Sequence, residues 1–302
     1  MQPRKRIFFV CTVLMAISLT ALNVADAEIV KDSLGRTVHL PPNPQRIVAF
    51  APSITEIIFA LEQQQRLKGV TIYSNYPEAA KSLPRVGSYI RLDLERIVAL
   101  SPDLCIATKD GNPKALIERL ESMNIPVFVV DPRNLESVMQ TICDLGAILH
   151  ATDRANALVG NMRLRVQRIK SLIAGSNDKP RVFFQIGITP IVSVGTDTFI
   201  HELIVNAGGI NLAEGKASYP RFSREQVLGL NPEVFIISSM ARGVAFDKVR
   251  KEWYKWPHLS AVRNNRIYLV NSDLFNRPTP RLVDSLETLA GLIHPEIFEE
   301  IQ

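Results

Sequence analysis

Asp153-Arg-Ala-Asn-Ala-Leu158-Val-Gly-Asn-Met162-Arg-Leu-Arg-Val166-Gln-Arg-Ile169-Lys-Ser-Leu172-Ile-Ala174 is a helical run with one glycine and no proline. Leu158, Met162, Val166, Ile169 and Leu172 recur at three- and four-residue steps, and charged residues fill the positions between, as in an amphipathic helix. Gly175-Ser176-Asn177-Asp178-Lys179-Pro180 stops the run. About 20 helical residues at 1.5 Å each extend ~30 Å. The segment therefore reads as a spacer between two flanking regions.

The two flanks read alike. Ahead of the helix, strands are expected at 47–50, 67–71, 104–108 and 127–130, and helices at 55–63, 94–100, 113–123 and 135–149. Behind it, strands are expected at 182–186, 234–238 and 267–270, and helices at 199–206, 224–230, 247–256 and 281–294. Such alternation signals βα units and a largely parallel sheet. A small turn-linked β segment, Val30 to Leu40 with its turn at Asp32 to Gly35, precedes this and is set apart by Pro41, Pro42 and Pro44. The expected fold is α/β, with two lobes, each a mainly parallel sheet flanked by helices, joined by one long helix over a ligand cleft. The divisions fall at 28–151 for the N-terminal lobe, 152–178 for the connecting helix and 179–302 for the C-terminal lobe.

The first residues belong to neither lobe. Arg4, Lys5 and Arg6, an apolar run from Ile7 to Leu22, and Ala25-Asp26-Ala27 make a secretory signal peptide over 1–27, cleaved after Ala27. A retained anchor wants ~20 apolar residues, and this run is shorter and broken by Thr and Ser. Cys11 lies too early in it for lipid attachment. The expected location is the periplasm. Of 302 residues, 46% are hydrophobic and 22% charged, enough apolar mass for two cores. Removing the leader takes three basic groups and one acidic group from a net charge of +5 and leaves +3. So weak and evenly spread a charge excludes nucleic acid as partner. No second long apolar stretch is present, and a soluble monomer is expected. Export makes a disulfide between Cys105 and Cys143 possible, but both lie in apolar runs, where Cys acts as a small buried hydrophobe; free thiols are the favoured reading.

Two segments align without a gap, 130 positions apart: Leu92-Asp-Leu-Glu95-Arg-Ile-Val-Ala-Leu100-Ser-Pro102-Asp-Leu-Cys-Ile106 and Phe222-Ser-Arg-Glu225-Gln-Val-Leu-Gly-Leu230-Asn-Pro232-Glu-Val-Phe-Ile236. Each reads as a short helix, a proline turn and a buried strand, which suggests related lobes. Each places a carboxylate early in its helix, where the dipole favours negative charge by ~0.3–1 kcal/mol. Glu95 and Glu225 are then either helix-start electrostatics or matched acidic knobs that dock on a two-fold-symmetric partner.

Several stretches together extend this reading: Arg46-Ile-Val-Ala-Phe-Ala-Pro-Ser-Ile-Thr-Glu56, Tyr73-Ser-Asn-Tyr-Pro77, Leu94 to Leu104, Val182-Phe-Phe-Gln-Ile-Gly-Ile-Thr-Pro190, Ser223-Arg-Glu-Gln-Val-Leu228, and Ser272-Asp-Leu-Phe-Asn-Arg277 with Pro280-Arg281 after it. In order and spacing they resemble the periplasmic cobalamin-binding proteins of ABC importers, over most of the mature chain. The resemblance implies that two lobes clamp a corrinoid edge-on and move little. It implies that Glu95 and Glu225 engage arginines of a permease dimer. Tyr73 would line the cleft from the N-terminal lobe. Asp273, Leu274, Phe275, Asn276 and Arg277 would border the ligand from the C-terminal lobe. Tyr89 and Tyr219 occupy aromatic positions where Trp is more usual. A corrin is a large, partly flat, mostly apolar ring fringed with amides. Rigid aromatic faces suit the ring, and polar tips answer the amides.

Taken without the resemblance, Tyr73 and Tyr76 are turn residues, Phe275 is core, and Arg277 with Arg281 is a solvated helix start. Tyr89-Ile90-Arg91-Leu92 also resembles the axial-ligand tyrosine of haem-binding members of the fold, since a phenolate can ligate haem iron. Haem or a ferric siderophore is thus the alternative ligand, and an exported interaction or sensory module without an importer is the alternative class. Catalysis finds no support. There is no Gly-x-Ser-x-Gly elbow and no glycine-rich phosphate loop. His39, His150, His201, His258 and His294 are scattered. His201-Glu202 lacks further ligands for a metal, and Glu202 reads as a first-turn carboxylate. No catalytic residue, no resident metal and no cofactor beyond a transported corrinoid are expected.

Overall fold

A computed structural model describes residues 28–215, 217–238 and 245–298. The expected leader lies outside them. Strands β1 (Glu28–Lys31) and β2 (Thr37–Leu40) form an antiparallel hairpin. Its turn is where expected, because Asp32 accepts from the amides of Leu34 and Arg36 (both 3.0 Å) while Gly35 takes φ +74°.

The first lobe runs β3 (Ile47–Ala49), α1 (Pro52–Ala60), β4 (Leu67–Val70), β5 (Gly87–Ser88), β6 (Arg91–Leu92), α2 (Leu94–Ala99), β7 (Leu104–Thr108), α3 (Lys114–Glu121), β8 (Val127–Val130) and α4 (Leu135–Ile148). Its sheet is ordered β4-β3-β7-β8 and is wholly parallel. Strands β3 and β8 are buried at every position, as parallel strands covered on both faces must be. Helix α5 (Thr152–Ile173) comes next. The second lobe runs β9 (Arg181–Gly187), β10 (Ile191–Ser193), α6 (Phe199–Asn206), β11 (Ile210–Asn211), β12 (Arg221–Phe222), α7 (Arg224–Leu230), β13 (Val234–Ile237), α8 (Ala245–Tyr254), α9 (Ser260–Arg263), β14 (Ile267–Leu269), α10 (Ser272–Phe275), α11 (Leu282–Ile293) and α12 (Pro295–Phe298).

In the second lobe β11, β13 and β14 are parallel to β9, in the order β11-β9-β13-β14. That is the order of β4-β3-β7-β8 repeated. The duplication read from one segment therefore extends to both sheets. The antiparallel additions β10 and β12 are too short to show a period and were not expected from sequence.

Helix α5 is not a bare spacer. It packs on α4 of the first lobe and on α6 and α11 of the second. Its buried positions are Ala155, Val159, Met162, Ile169 and Ile173. The expected stripe through Leu158 and Leu172 is thus displaced by one position at each end, because neighbours on two sides draw a wider face into contact. One continuous cluster of buried side chains runs from Val38 through Ile142, Met162 and Leu203 to Ile293, crossing from lobe to lobe. Arg165 on α5 adds contacts of 2.6 Å to Asp284 and Glu287 on α11. Cys105 and Cys143 are free thiols. Among the described residues no helix is long and apolar enough to cross a membrane.

Candidate functional site

The loops that leave the carboxyl ends of the parallel strands meet between the lobes, where α/β sheets ordinarily place ligands. From the first lobe, the loop after β4 carries Tyr73. Buried hydroxyls stiffen it: Ser74 Oγ lies 3.0 Å from Thr55 Oγ1 and 3.1 Å from Thr71 Oγ1. Arg85 ties it down by donating to the carbonyls of Thr71 and Ser74. Tyr89, on the β5–β6 turn, sets its ring 6.2 Å from that of Tyr73 at 60°. Asn112 donates to the Tyr89 carbonyl (2.7 Å) and accepts from the Thr108 amide (2.7 Å). Gly111, at φ +102°, lies against one edge of the ring, and a Cβ there would come within 2.6 Å of it. Tyr73 and Tyr89 are therefore brought together.

From the second lobe, Tyr219 is half exposed on the approach to β12 and faces Asp110 and Arg133 of the first lobe. Burial pushes the Tyr219 phenol up, and the Asp110 carboxylate adds to this. Burial also pushes up the phenol of Tyr89, helped by Tyr73. Asp110 and Arg133 pair with each other at 2.8 Å.

The segment 273–277 sits differently from the expectation. Phe275 is buried, its ring 6.0 Å from Phe184 in the core, so it offers no face to the cleft. Leu274 packs against the same core. Asn276 accepts from the Ser238 hydroxyl at 3.0 Å. Arg277, expected to hydrogen-bond a ligand, is buried and committed elsewhere. It donates to Glu56 Oε1 (2.8 Å), Asn75 Oδ1 (2.8 Å), the Tyr73 carbonyl (3.1 Å) and Asp273 Oδ1 (2.6 Å). Asn75 Nδ2 donates to Asp273 Oδ2 at 2.7 Å. Arg281 donates to Glu56 Oε2 at 2.9 Å, with its guanidinium 3.7 Å over the Tyr76 ring. The reason is burial: an arginine and a glutamate taken from water must pair.

Glu56 was missed as a site residue. Burial pushes its carboxyl up, and Arg277 and Arg281 oppose this. The sign was present in the sequence, since Glu56 is the one charged residue of α1, a helix whose residues Ser53 to Ile58 are all buried. Glu202 also crosses between lobes, accepting from the Leu135 amide at the start of α4 (2.6 Å). It lies in the first turn of α6 as expected, yet it serves another helix. No group of described residues could hold a metal ion.

Glu95 and Glu225 are exposed near the starts of α2 and α7. Asp93 caps α2, and Ser223 with Gln226 forms a capping box on α7. Other side chains thus cap both helices, and both carboxylates stay exposed to solvent. Its own amide and the Ser223 hydroxyl hold the Glu225 carboxyl below the usual range.

These features are those of a two-lobed receptor, and residues 47–274 match the periplasmic binding protein family, to which the chain belongs. That family consists of binding proteins rather than enzymes. The chain is 34% identical over 243 residues to the vitamin B12-binding protein of Vibrio campbellii, spanning 80% of this chain and 86% of the relative. The periplasmic vitamin B12 binding protein of Vibrio cholerae superposes with a TM-score of 0.73 at 29% identity, covering 83% of this chain and 96% of that one. A periplasmic heme binding protein from Pseudomonas aeruginosa superposes with a TM-score of 0.76 at 29% identity, covering 83% and 93%.

Proposed function

We propose that this chain captures cobalamin or a related corrinoid in the cleft between its lobes and delivers it to an ABC importer. The carrying observation is the pair of tyrosine rings in the first lobe, Tyr73 and Tyr89, 6.2 Å apart, with Asp273 of the second lobe joined through Arg277 to the Tyr73 carbonyl and Tyr219 reaching Asp110 from the second lobe. The tyrosine rings supply flat apolar area and their hydroxyls answer amides. The likeness to the vitamin B12-binding protein of Vibrio campbellii over most of both chains supports the same ligand. Glu95 and Glu225, outward on equivalent helices, are the docking pair for a permease dimer. The leader over 1–27 sends the mature monomer to the periplasm, with residues 152–178 joining lobes 28–151 and 179–302.

Haem is the second reading, favoured by the Pseudomonas aeruginosa relative. Against it stands the 34% identity to the vitamin B12-binding protein of Vibrio campbellii, which spans 80% of this chain. Parallel titrations of the mature protein with cobalamin, haemin and a ferric siderophore, read by visible absorbance and calorimetry, decide among them. Tight binding of cobalamin alone supports the corrinoid reading, and a haem Soret shift without cobalamin binding overturns it.

A further inference from the structure

Glu56 and Glu202 occupy matching places in the duplication. Ile54-Thr-Glu56-Ile-Ile58 aligns with Ile200-His-Glu202-Leu-Ile204, 146 positions apart. Helix α1 follows β3, the second strand of its sheet, and α6 follows β9 and its hairpin, the second strand of the other. Each glutamate reaches into the opposite lobe, and each reaches the start of the same element there. Glu56 takes Arg281, the residue before α11, together with Arg277. Glu202 takes the amide of Leu135, the first residue of α4. Helices α4 and α11 are themselves counterparts, each closing its lobe after the last parallel strand. The contact is thus reciprocal, as in an isologous interface between two-fold-related halves.

The two arms differ in chemistry. The Glu56 arm is a buried ion-pair network; the side chains of Glu56 and Arg277 are 2% and 9% exposed. The Glu202 arm is a carboxylate on the positive end of a helix, where an unpaired amide and the dipole both favour it. Only the Glu56 arm continues into the cleft. Through Arg277 it holds the Tyr73 carbonyl and Asp273 Oδ1, and Asn75 holds the other Asp273 oxygen.

We propose that Glu56 and Glu202 are a related pair of positioning residues that clasp the lobes at a fixed separation and so set the aperture of the ligand cleft before ligand arrives. Neither touches the ligand. Glu56 also orients Tyr73 and Asp273, so its arm sets the inner wall as well as the gap. The inference rests on this cleft being the ligand site.

The test measures the separation of the lobes without ligand. Spin labels at Lys114→Cys on α3 and Lys251→Cys on α8, both exposed, in a Cys143→Ser background report one narrow distance if the aperture is preset. Glu56→Gln and Glu202→Ala each broaden it, and the double variant broadens it further. A variant that holds the correct aperture a tenth of the time binds cobalamin about tenfold more weakly. The pair Glu56→Gln with Arg277→Gln separates positioning from stability. Removing both buried charges restores the thermal midpoint towards that of the unaltered protein, while the distance stays broad. Recovery of both would overturn the proposal, as would an unchanged distance in the single variants. If Glu56→Gln does not fold, Arg281→Gln and Glu202→Ala, at partly exposed positions, carry the measurement. The distance needs no ligand, so it judges the clasp even if cobalamin fails to bind, and that failure would refute the corrinoid reading alone.

Discussion

Replacing Phe275 with alanine separates a core role from a ligand-facing one. The ring is 1% exposed and lies tilted at 38° to Phe184, among the residues of the core that spans both lobes. Truncation of a buried phenylalanine costs about 3–5 kcal/mol, the spread reflecting how far the site collapses. At about 2 °C per kcal/mol for a chain of this size, the thermal midpoint should fall by about 6–10 °C. Cobalamin affinity should fall as well, because α10 is four residues long and Asp273 and Arg277 flank the lost ring. Phe275→Leu, which keeps most of the apolar volume, should cost no more than about 1.5 kcal/mol, recovering the midpoint to within about 3 °C and the affinity with it. Calorimetric melting and a cobalamin titration on the same samples read both. A Phe275→Ala protein with an unchanged midpoint and weakened binding would place the ring against the ligand and refute the reasoning.

Gly111→Ala should weaken ligand binding from a position that does not touch ligand, since its Cβ would meet the Tyr89 ring at 2.6 Å and φ +102° is strained by about 1–3 kcal/mol for any other residue; a crystal structure with Tyr89 undisplaced would count against this. Glu95→Arg with Glu225→Arg should abolish uptake in cells while leaving the cobalamin titration of the purified protein unchanged, and normal uptake would favour an interaction module without an importer. The partly buried phenols of Tyr89 and Tyr219 ionise above the ordinary pH 10 of tyrosine. The fold favours their neutral forms, so this stabilisation is complete below pH 10 and lost as pH rises through the higher folded values. Phenolate absorbance should therefore lose its most alkaline portion in Tyr89→Phe and Tyr219→Phe; loss of an earlier portion would contradict the burial argument.

Much of the architecture is legible in the chain because parallel strands and amphipathic helices impose distinct periods. The strands at 104–108 and 127–130 and the helices at 199–206 and 224–230 fall where the pattern puts them. The face of α5 is harder to read, since a helix packed on two sides carries no single stripe; Leu158 is only partly buried while Ala155 and Val159 are enclosed. In the site, Tyr73 and Tyr89 are legible only through the family resemblance, since the residues by themselves read Tyr73 as part of a turn and give no sign that the two rings meet. Phe275 and Arg277 lie in a four-residue helix and the turn after it, and so short an element has no period to say which side meets the core. The partner of Glu56 lies 221 residues away. A lone acidic residue in an otherwise uncharged, enclosed helix announces that such a partner exists without naming it.

Helix α5 has a consequence for how this fold can change. Its buried face is shared, pressed on α4 from one lobe and on α6 and α11 from the other, so along this helix the lobes have one inner surface in common, although each also keeps a cluster of its own. A lobe expressed alone would present that apolar stripe to water or leave its neighbour's uncovered. Exchange of whole lobes between relatives is therefore disfavoured unless the matching helix travels with them. New ligand preferences are left to arise by substitution in the loops at the strand ends, where Tyr73, Tyr89 and Tyr219 sit and the shared wall is not disturbed.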